Sequence, residues 1–556
     1  MAKKQNKFTD SDKAESVILT GIQEKGVTFD STKTNIIYKI GSKDVTSLKL
    51  KTIAFEDGAE LLSRDKYNYS EITALDTEDY KVVYEKPEEV TANQSMTLLK
   101  ANDTFKDIAA IENTEKYTLE PVSGVTMDAV IRSSLEVKSG KVTLKAVTNK
   151  ADKLTFGAVD WLDKGALIDH KTMLNNVSLD GATVDTSKIA FINKEKLDAN
   201  MQMTLVSDFD GTLGTITGSK YKVGTAYEGE GSAYLDGNNL VFKTKTGAGL
   251  SDETHTTVMA MEAGVAMLAA GSEHVENAIE GLGLAVNAGS DGVSTFASVG
   301  GASSRYETGS HVDTNSWNCT LAIGKNLEKK DGSLEYGLFA EYGRGNYTLH
   351  MDGIADAGSG SSHYTGGGLL MKWTNKHNLY TEASFRLGNM KDNTSSILHD
   401  GAGNAYGYDI SAKYRGGHIG FGKAYNEEDG TKLEIYGKYF YNQREGINFV
   451  AGADQYKLDD VRSRVLRAGF RLSSTDKKWN RYGGLAYDYE FGGQSNGTVN
   501  GNAIRSASVK GGTLRGEFGY CREATKINPW KTDISLYGFT GQRRGFGGSV
   551  AFEYHF

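Results

Sequence analysis

The side chains best placed to do chemistry lie in the second half of the chain and are mostly charged. Glu335 and Glu341, Glu382 and Arg386, Glu434 and Lys438, Arg467 and Arg471, Asp488 and Glu490, and Arg515 and Glu517 form six pairs. Within each pair the members are two, four or six residues apart, so on a β-strand both project from one face. Glu382 with Arg386 would suit acid–base work. With both signs of charge repeated strand after strand, the pattern reads better as a structural charge network in a polar interior. The remaining reactive residue types give less. Ser207 and Ser232 have no supporting Ser/His/Asp pattern, no Gly-Asp-Ser-Gly run exists, and His170 reads as a turn or surface histidine. Cys319 and Cys521 lie far apart without metal-ligand spacing and read as small lipid- or lumen-facing residues.

A sharper local motif is Leu205-Val-Ser-Asp-Phe-Asp-Gly-Thr-Leu213, which resembles the opening motif of haloacid-dehalogenase-like phosphatases. That resemblance implies a nucleophile at Asp208, a general acid at Asp210 and Mg²⁺ between carboxylates. The context does not support it. Thr212 is followed by Gly-Thr-Ile-Thr-Gly-Ser, which is not helical, and the α/β surroundings such a site needs are missing. The stretch reads as a turn built from Asp and Gly. No enzyme, cofactor or metal is expected.

The elements that must position the charges follow from composition. The chain has 556 residues, with 66 Gly, 29 Tyr and 21 Phe but only 3 Pro. Mean hydropathy is -0.44, and no apolar run approaches the roughly 18 residues of a membrane-spanning helix. A polar mean is compatible with a β-barrel, in which only alternate residues face lipid. A net charge of -8 and the absence of basic blocks argue against nucleic acid as a partner. The opening MAKKQNKFTD has no apolar stretch behind it, so a secretory signal is expected upstream of a truncated start.

Three regions are expected. Residues 1–250 read as short polar-turned strands, such as Ser47–Ile53 and Lys141–Val147, in a β-rich and possibly solenoid-like region. An internal repeat relates Ala92-Asn-Gln-Ser-Met-Thr-Leu-Leu99 to Ala199-Asn-Met-Gln-Met-Thr-Leu-Val206, and Leu135–Leu144 to Leu235–Phe242. Residues 251–285 read as a helix: Asp252 and Glu253 suit its positive end, and Val258, Met261, Val265, Leu268, Val275 and Ile279 recur at helical spacing. Its small, mixed faces suit a narrow polar tube.

Residues 286–556 read as an antiparallel barrel. Strands are expected near 292–308, 311–327, 333–349, 361–374, 378–391, 405–426, 431–446, 457–473, 479–493, 507–522, 531–543 and 545–556. Each alternates lipid-facing residues, such as Leu334, Tyr336 and Leu338, with inward charges and glycines. Aromatics gather toward strand ends, and the region's single proline, Pro529, falls between strands, where no backbone N–H is needed by the ladder. The closing strand alternates Val550, Phe552, Tyr554 and Phe556 with Ser549, Ala551, Glu553 and His555, and the chain stops there.

These features are similar to the translocator of the autotransporter (type V secretion) family. The carrying segments are Glu335–Gly345, Tyr482–Phe491, Lys510–Tyr520, the preceding helix and the aromatic terminus. The resemblance implies a twelve-stranded outer-membrane barrel threaded by the helix, with the N-terminal region as a passenger outside the cell. It implies contact with outer-membrane lipid and periplasmic chaperones, and a signal of Phe552, Tyr554 and Phe556 read by the barrel-assembly machinery. Some members cut the linker helix at an Asn-Asn pair. Here Asn277 stands alone, so the passenger is expected to stay attached. Its expected role is adhesin-like or structural, with a host or cell-surface ligand. The alternatives are a porin-like channel with an N-terminal appendage and a surface phosphatase using Asp208 and Asp210.

Overall fold

The computed structural model describes residues 28–30, 47–50, 52–62, 74–78, 80–100, 107–282, 293–354, 357–426, 430–475, 479–524 and 528–555. The chain divides into two compact units. One holds Met1–Val223 and Gly229–Ala248, the other Gly224–Glu228 and Gly249–Phe556.

The first unit combines stacked short parallel strands with three long antiparallel strands, Ile108–Val122, Val125–Lys138 and Lys141–Phe156. Phe29 lies beside Leu48 and Leu48 beside Leu75. Ala158 lies beside Ala190 and Ala190 beside Lys222, so each of these coils advances 32 residues. A short strand cannot bury its apolar face alone, and stacking successive coils gives it one. Phe191 is the centre of the resulting core: its ring centroid is 5.0 Å from that of Trp161, 5.5 Å from Phe242 and 6.0 Å from Tyr221. Between coils, Asn193 stands in for backbone. Its Nδ2 donates to the Trp161 carbonyl at 3.0 Å, and its Oδ1 accepts from the Trp161 N–H at 2.8 Å.

The repeated sequences occupy equivalent places in this stack. Ser95–Lys100 runs parallel to Glu60–Leu62 and antiparallel to Lys141–Phe156. Gln202–Ser207 runs parallel to Ala166–Asp169 and antiparallel to Asn239–Thr244. In each copy a left-handed asparagine precedes the strand, Asn93 at φ 76° and Asn200 at φ 64°. Their N–H groups donate to Ala146 and Thr244 carbonyls at 2.8 and 2.9 Å. Met96 and Leu98 in one copy, and Met203 and Leu205 in the other, are buried. The shared sequence thus encodes one module: an asparagine turn, an inward Met-x-Leu strand and a returning partner.

The second unit is a closed antiparallel barrel. Its strands are β1 Val293–Glu307, β2 His311–Lys329, β3 Gly332–His350, β4 Ser359–Asn375, β5 Leu379–Ser395, β6 Asp409–Asn426, β7 Thr431–Arg444, β8 Val461–Thr475, β9 Trp479–Glu490, β10 Gly511–Arg522, β11 Trp530–Gly541 and β12 Arg543–His555. Closure pairs β1 with β12, from Ser294 beside His555 to Tyr306 beside Arg543. Closure matters because a strand edge in lipid has no water to satisfy its backbone. Outward residues are apolar and exposed: Leu321, Leu338, Phe421, Leu536 and Phe546 stand on the outer face. Aromatic pairs mark both ends, Trp479 with Tyr520 at 4.8 Å on one side and Trp317 with Tyr342 at 5.2 Å toward the other.

Connections at one end are short, with two residues between β2 and β3 and three between β4 and β5. At the other end residues 396–408, 445–460 and 491–510 form long loops with strands of their own. Ile447–Ala451, Asp454–Leu458, Gly497–Val499 and Asn502–Ala503 make a four-stranded sheet there. This accounts for three displaced boundaries. β6, β8 and β10 begin at 409, 461 and 511 rather than 405, 457 and 507, because alternation continues into loop strands that pair outside the barrel. A helix, α1, spans Thr254–Leu282 and lies in the barrel unit.

Because Phe191 packs edge-on or tilted against the rings of Trp161, Tyr221 and Phe242, Phe191→Ala is expected to cost the first unit about 3–5 kcal/mol. Urea denaturation of the full chain in detergent, followed by tryptophan fluorescence, should show the first transition shifted and the barrel's behaviour unchanged.

Candidate functional site

The site is the barrel lumen with α1 inside it. The helix carries Glu262, Glu273, Glu276 and Glu280 and neither Lys nor Arg. Its 29 residues give a rod of about 43 Å, longer than the hydrocarbon core it threads. One part packs on apolar wall: Val275, Ala278 and Ile279 meet Phe296, Ala322, Phe339, Leu370 and Ala551. Ala266 packs on Tyr306 and Val509, and charged and polar groups make the other contacts described below.

Glu273 sits at a three-arginine cluster. Its carboxylate lies 2.7 Å from Arg467 Nη2, 3.1 Å from Arg515 Nη1 and 3.5 Å from Arg543 Nη1. One helical turn on, Glu276 accepts from Arg467 Nη1 at 3.1 Å and pairs with Lys438. Arg467 also holds Asp488 through Nε and Nη2 at 2.8 and 3.0 Å, so one guanidinium joins helix to two strands. Lys438 reaches Glu382 at 2.8 Å, and His418 Nε2 stands 3.4 Å from the same carboxylate.

Arg386 forms a second anchor. It grips Glu341 with Nε and Nη2, both at 2.9 Å, while its Nη1 donates to the Leu268 carbonyl and Ser272 Oγ of α1, both at 2.7 Å. Tyr364 and Tyr414 flank the guanidinium at 5.4 and 5.1 Å, and Tyr414 donates to Glu341 at 2.7 Å. The helix comes this close because Gly271 has no side chain. A Cβ there would lie 2.0 Å from Tyr364 Oη. Gly300 makes the reciprocal concession on the wall, where a Cβ would meet the His274 ring of α1 at 2.4 Å. A charge withdrawn from water costs heavily unless paired and hydrogen-bonded, and here helix and wall charges serve each other.

The remaining charges are on the same inner wall. Glu335 is buried on β3, and Arg471 pairs with Glu517 at 2.7 Å. Arg515 Nη2 is 3.6 Å from Glu517. Glu434 accepts from Tyr380 at 2.6 Å, and Glu490 accepts the Arg464 N–H at 2.6 Å. Phe552 and Tyr554 lie on the outer face of β12, and Phe556 falls outside the described residues. Sequence reasoning missed Glu273, Glu276, Arg444 and Asp392, of which the last two pair in the lumen. Arg444 shares parity with Lys438, a usable signal. The spacing of Glu273 and Glu276 marks a helix face without saying that arginines meet it.

The end of α1 nearest the long loops is tied to them. Thr256 Oγ1 donates to the Ile397 carbonyl at 2.5 Å, His255 Nδ1 meets the Arg505 carbonyl at 2.6 Å, and the His399 N–H donates to Glu253 at 3.1 Å. Cys319 is half-buried on the outer parity of β2, and Cys521 is buried on β10. In the first unit, Asp208 and Asp210 are exposed on a turn, with Asp208 at φ 55° and 3.4 Å from Lys171.

A closed twelve-stranded barrel with an apolar outer band, one short-turn end and a charge-lined lumen is an outer-membrane barrel of the bacterial kind. Residues 294–523 match the family model of the autotransporter beta-domain. Three solved structures are among those similar to the chain. They are the beta domain of the Bordetella autotransporter BrkA (13% identity, TM-score 0.40, 48% of this chain and 100% of that one), the translocator domain of NalP from Neisseria meningitidis (13%, 0.41, 55% and 100%) and the transport unit of AIDA-I from Escherichia coli (12%, 0.39, 51% and 98%). No curated protein matches the chain.

Replacing Glu273 removes the shared partner of two buried arginines, Arg467 and Arg515, and of the half-buried Arg543. Glu273→Ala is expected to destabilise the plugged barrel by about 3–5 kcal/mol. The readout is the temperature at which the compact, fast-migrating form on unheated gels is lost, and it should fall well below that of Glu280→Ala.

Proposed function

We propose that the chain is an autotransporter that anchors and displays its own N-terminal region on the surface of a bacterium. The observation that carries this reading is α1: an acidic helix clamped along the lumen by Arg386, Lys438 and Arg467, its start fastened to the long-loop end. In bacterial barrels long loops face outward. The segment that precedes α1 therefore leaves the pore on the extracellular side, and the stacked-strand unit is the passenger. The barrel meets outer-membrane lipid with its apolar band. Periplasmic chaperones escort the chain beforehand, and the assembly machinery reads Phe552, Tyr554 and Phe556.

With a lone Asn277 in α1, the passenger stays covalently attached. It acts by binding a host or cell-surface ligand rather than by catalysis. The stacked parallel strands offer a repetitive surface for this, and Asp208 and Asp210 sit on an exposed turn.

Two experiments test the reading. Behind an added signal peptide, intact cells should lose the N-terminal unit to external protease and keep the barrel. Protection of that unit in intact cells would sink the proposal. In planar bilayers, deletion of residues 254–282 should open conductance that the full chain lacks. Equal conductance would favour a porin-like channel. For the catalytic alternative, hydrolysis of a generic phosphate ester by the full chain, lost in Asp208→Asn, would reverse the assignment of the passenger as a binding surface.

A further inference from the structure

The outer wall carries a cluster unrelated to the lumen network. His311 opens β2 and His350 closes β3, and they are direct cross-strand partners. Asp313 follows two residues after His311, so all three side chains project from the outer face. Their ligand atoms all lie within 4.8 Å of one another, and His350 Nε2 is 3.3 Å from Asp313 Oδ2. The two imidazoles stack with centroids 4.3 Å apart and planes inclined by 20°. All three residues are half-buried. From these observations we infer that His311, Asp313 and His350 form a binding site for a divalent transition-metal ion of the zinc class.

The chemistry fits that class. Two neutral imidazoles and one carboxylate are a three-ligand set for zinc, with a fourth position open to water. At zinc–ligand distances of about 2.0–2.2 Å, tetrahedral donors stand roughly 3.3–3.5 Å apart. His350 and Asp313 already meet this, and rotating the imidazoles closes the wider separations. Arg305 on β1 holds the carboxylate, with Nε at 2.7 Å and Nη2 at 2.9 Å from its two oxygens. A ligating carboxylate is commonly held in this way by an outer hydrogen bond. A hard cation such as Mg²⁺ prefers an all-oxygen shell and is not expected here.

The place gives the ion a role. β2 and β3 have 19 residues each, against the roughly 9–11 that cross the hydrocarbon core. The cluster stands on their overhang, on the long-loop side of the Trp317–Tyr342 pair. Above the lipid these strands compete with water for their ladder, and a metal bridging them would lock the rim.

The test is calorimetric titration of Zn²⁺ into the full chain in detergent, with His350→Ala and Asp313→Asn alongside. Retention of the compact form on unheated gels shows that each variant is folded. The expected result is one Zn²⁺ site in the unmodified chain, weakened at least about tenfold in both variants, and no heat with Mg²⁺. Zn²⁺ should also raise the temperature of the gel transition in the unmodified chain but not in His350→Ala. Absence of Zn²⁺ binding at millimolar concentration, or a site whose affinity survives both substitutions, would overturn the proposal.

Discussion

The barrel unit depends on one constraint: charges placed in the lumen must find partners there. Arg467 meets it most fully, bound to Glu273 and Glu276 of α1 and to Asp488 of β9. With the helix absent, Arg467, Arg515 and Arg543 would crowd together without the Glu273 carboxylate. With the wall absent, an acidic helix would have no reason to enter an apolar layer. Helix and wall are therefore conditions of each other's burial. The small residues follow from this, since Gly271 leaves room for the Tyr364 ring beside Arg386 and Gly300 for the His274 ring of the helix.

The outer face obeys a different rule with the same backbone. Lipid offers no hydrogen bonds, so β1 must pair with β12 and each strand must show apolar residues at every second position. Strand periodicity then places charges at the alternate positions automatically. One alternating pattern thus serves two solvents, hydrocarbon outside and a paired polar lumen inside. The first unit solves burial by stacking. Its coils expose polar turns and stack apolar residues such as Phe191 inward, each coil covering the next.

This division explains what could be read from sequence. Alternation over ten or more residues is a strong signal, so the twelve strands and the inward parity of Arg386, Lys438, Arg467 and Arg515 were legible. It was misleading where loop strands continue it: Asp454–Leu458 and Ala507–Ser508 follow the alternation of the barrel strands but pair with loop strands, the first with Ile447–Ala451 and Gly497–Val499 and the second with Gln494–Ser495. Partnership was not legible. Glu382 and Arg386 look like a pair by spacing, yet Glu382 is held by Lys438 and Arg386 by Glu341, each two strands away, because glycines on the strand between, such as Gly420, leave room for inward side chains to reach across it. The repeat in the first unit was visible as matched residues, but its meaning as an asparagine turn feeding an inward strand needed the geometry. The His311–His350 pairing was hidden for the same reason, as only register brings strand ends together.

A lumen lined by paired charges has a consequence for the export reading. An apolar channel would grip any apolar segment passing through it, in any register. Buried ion pairs behave differently: a partner out of place leaves a charge unpaired, which is strongly unfavourable, while the correct partner roughly offsets the cost of desolvation. Such a wall discriminates more than it attracts. Segments without matching carboxylates find no resting position, and α1 finds one only where Glu273 meets its arginines, Glu276 meets Lys438, and Ser272 with the Leu268 carbonyl meets Arg386. The same charges that make the pore passable therefore determine where passage stops, and the last segment to arrive becomes the plug.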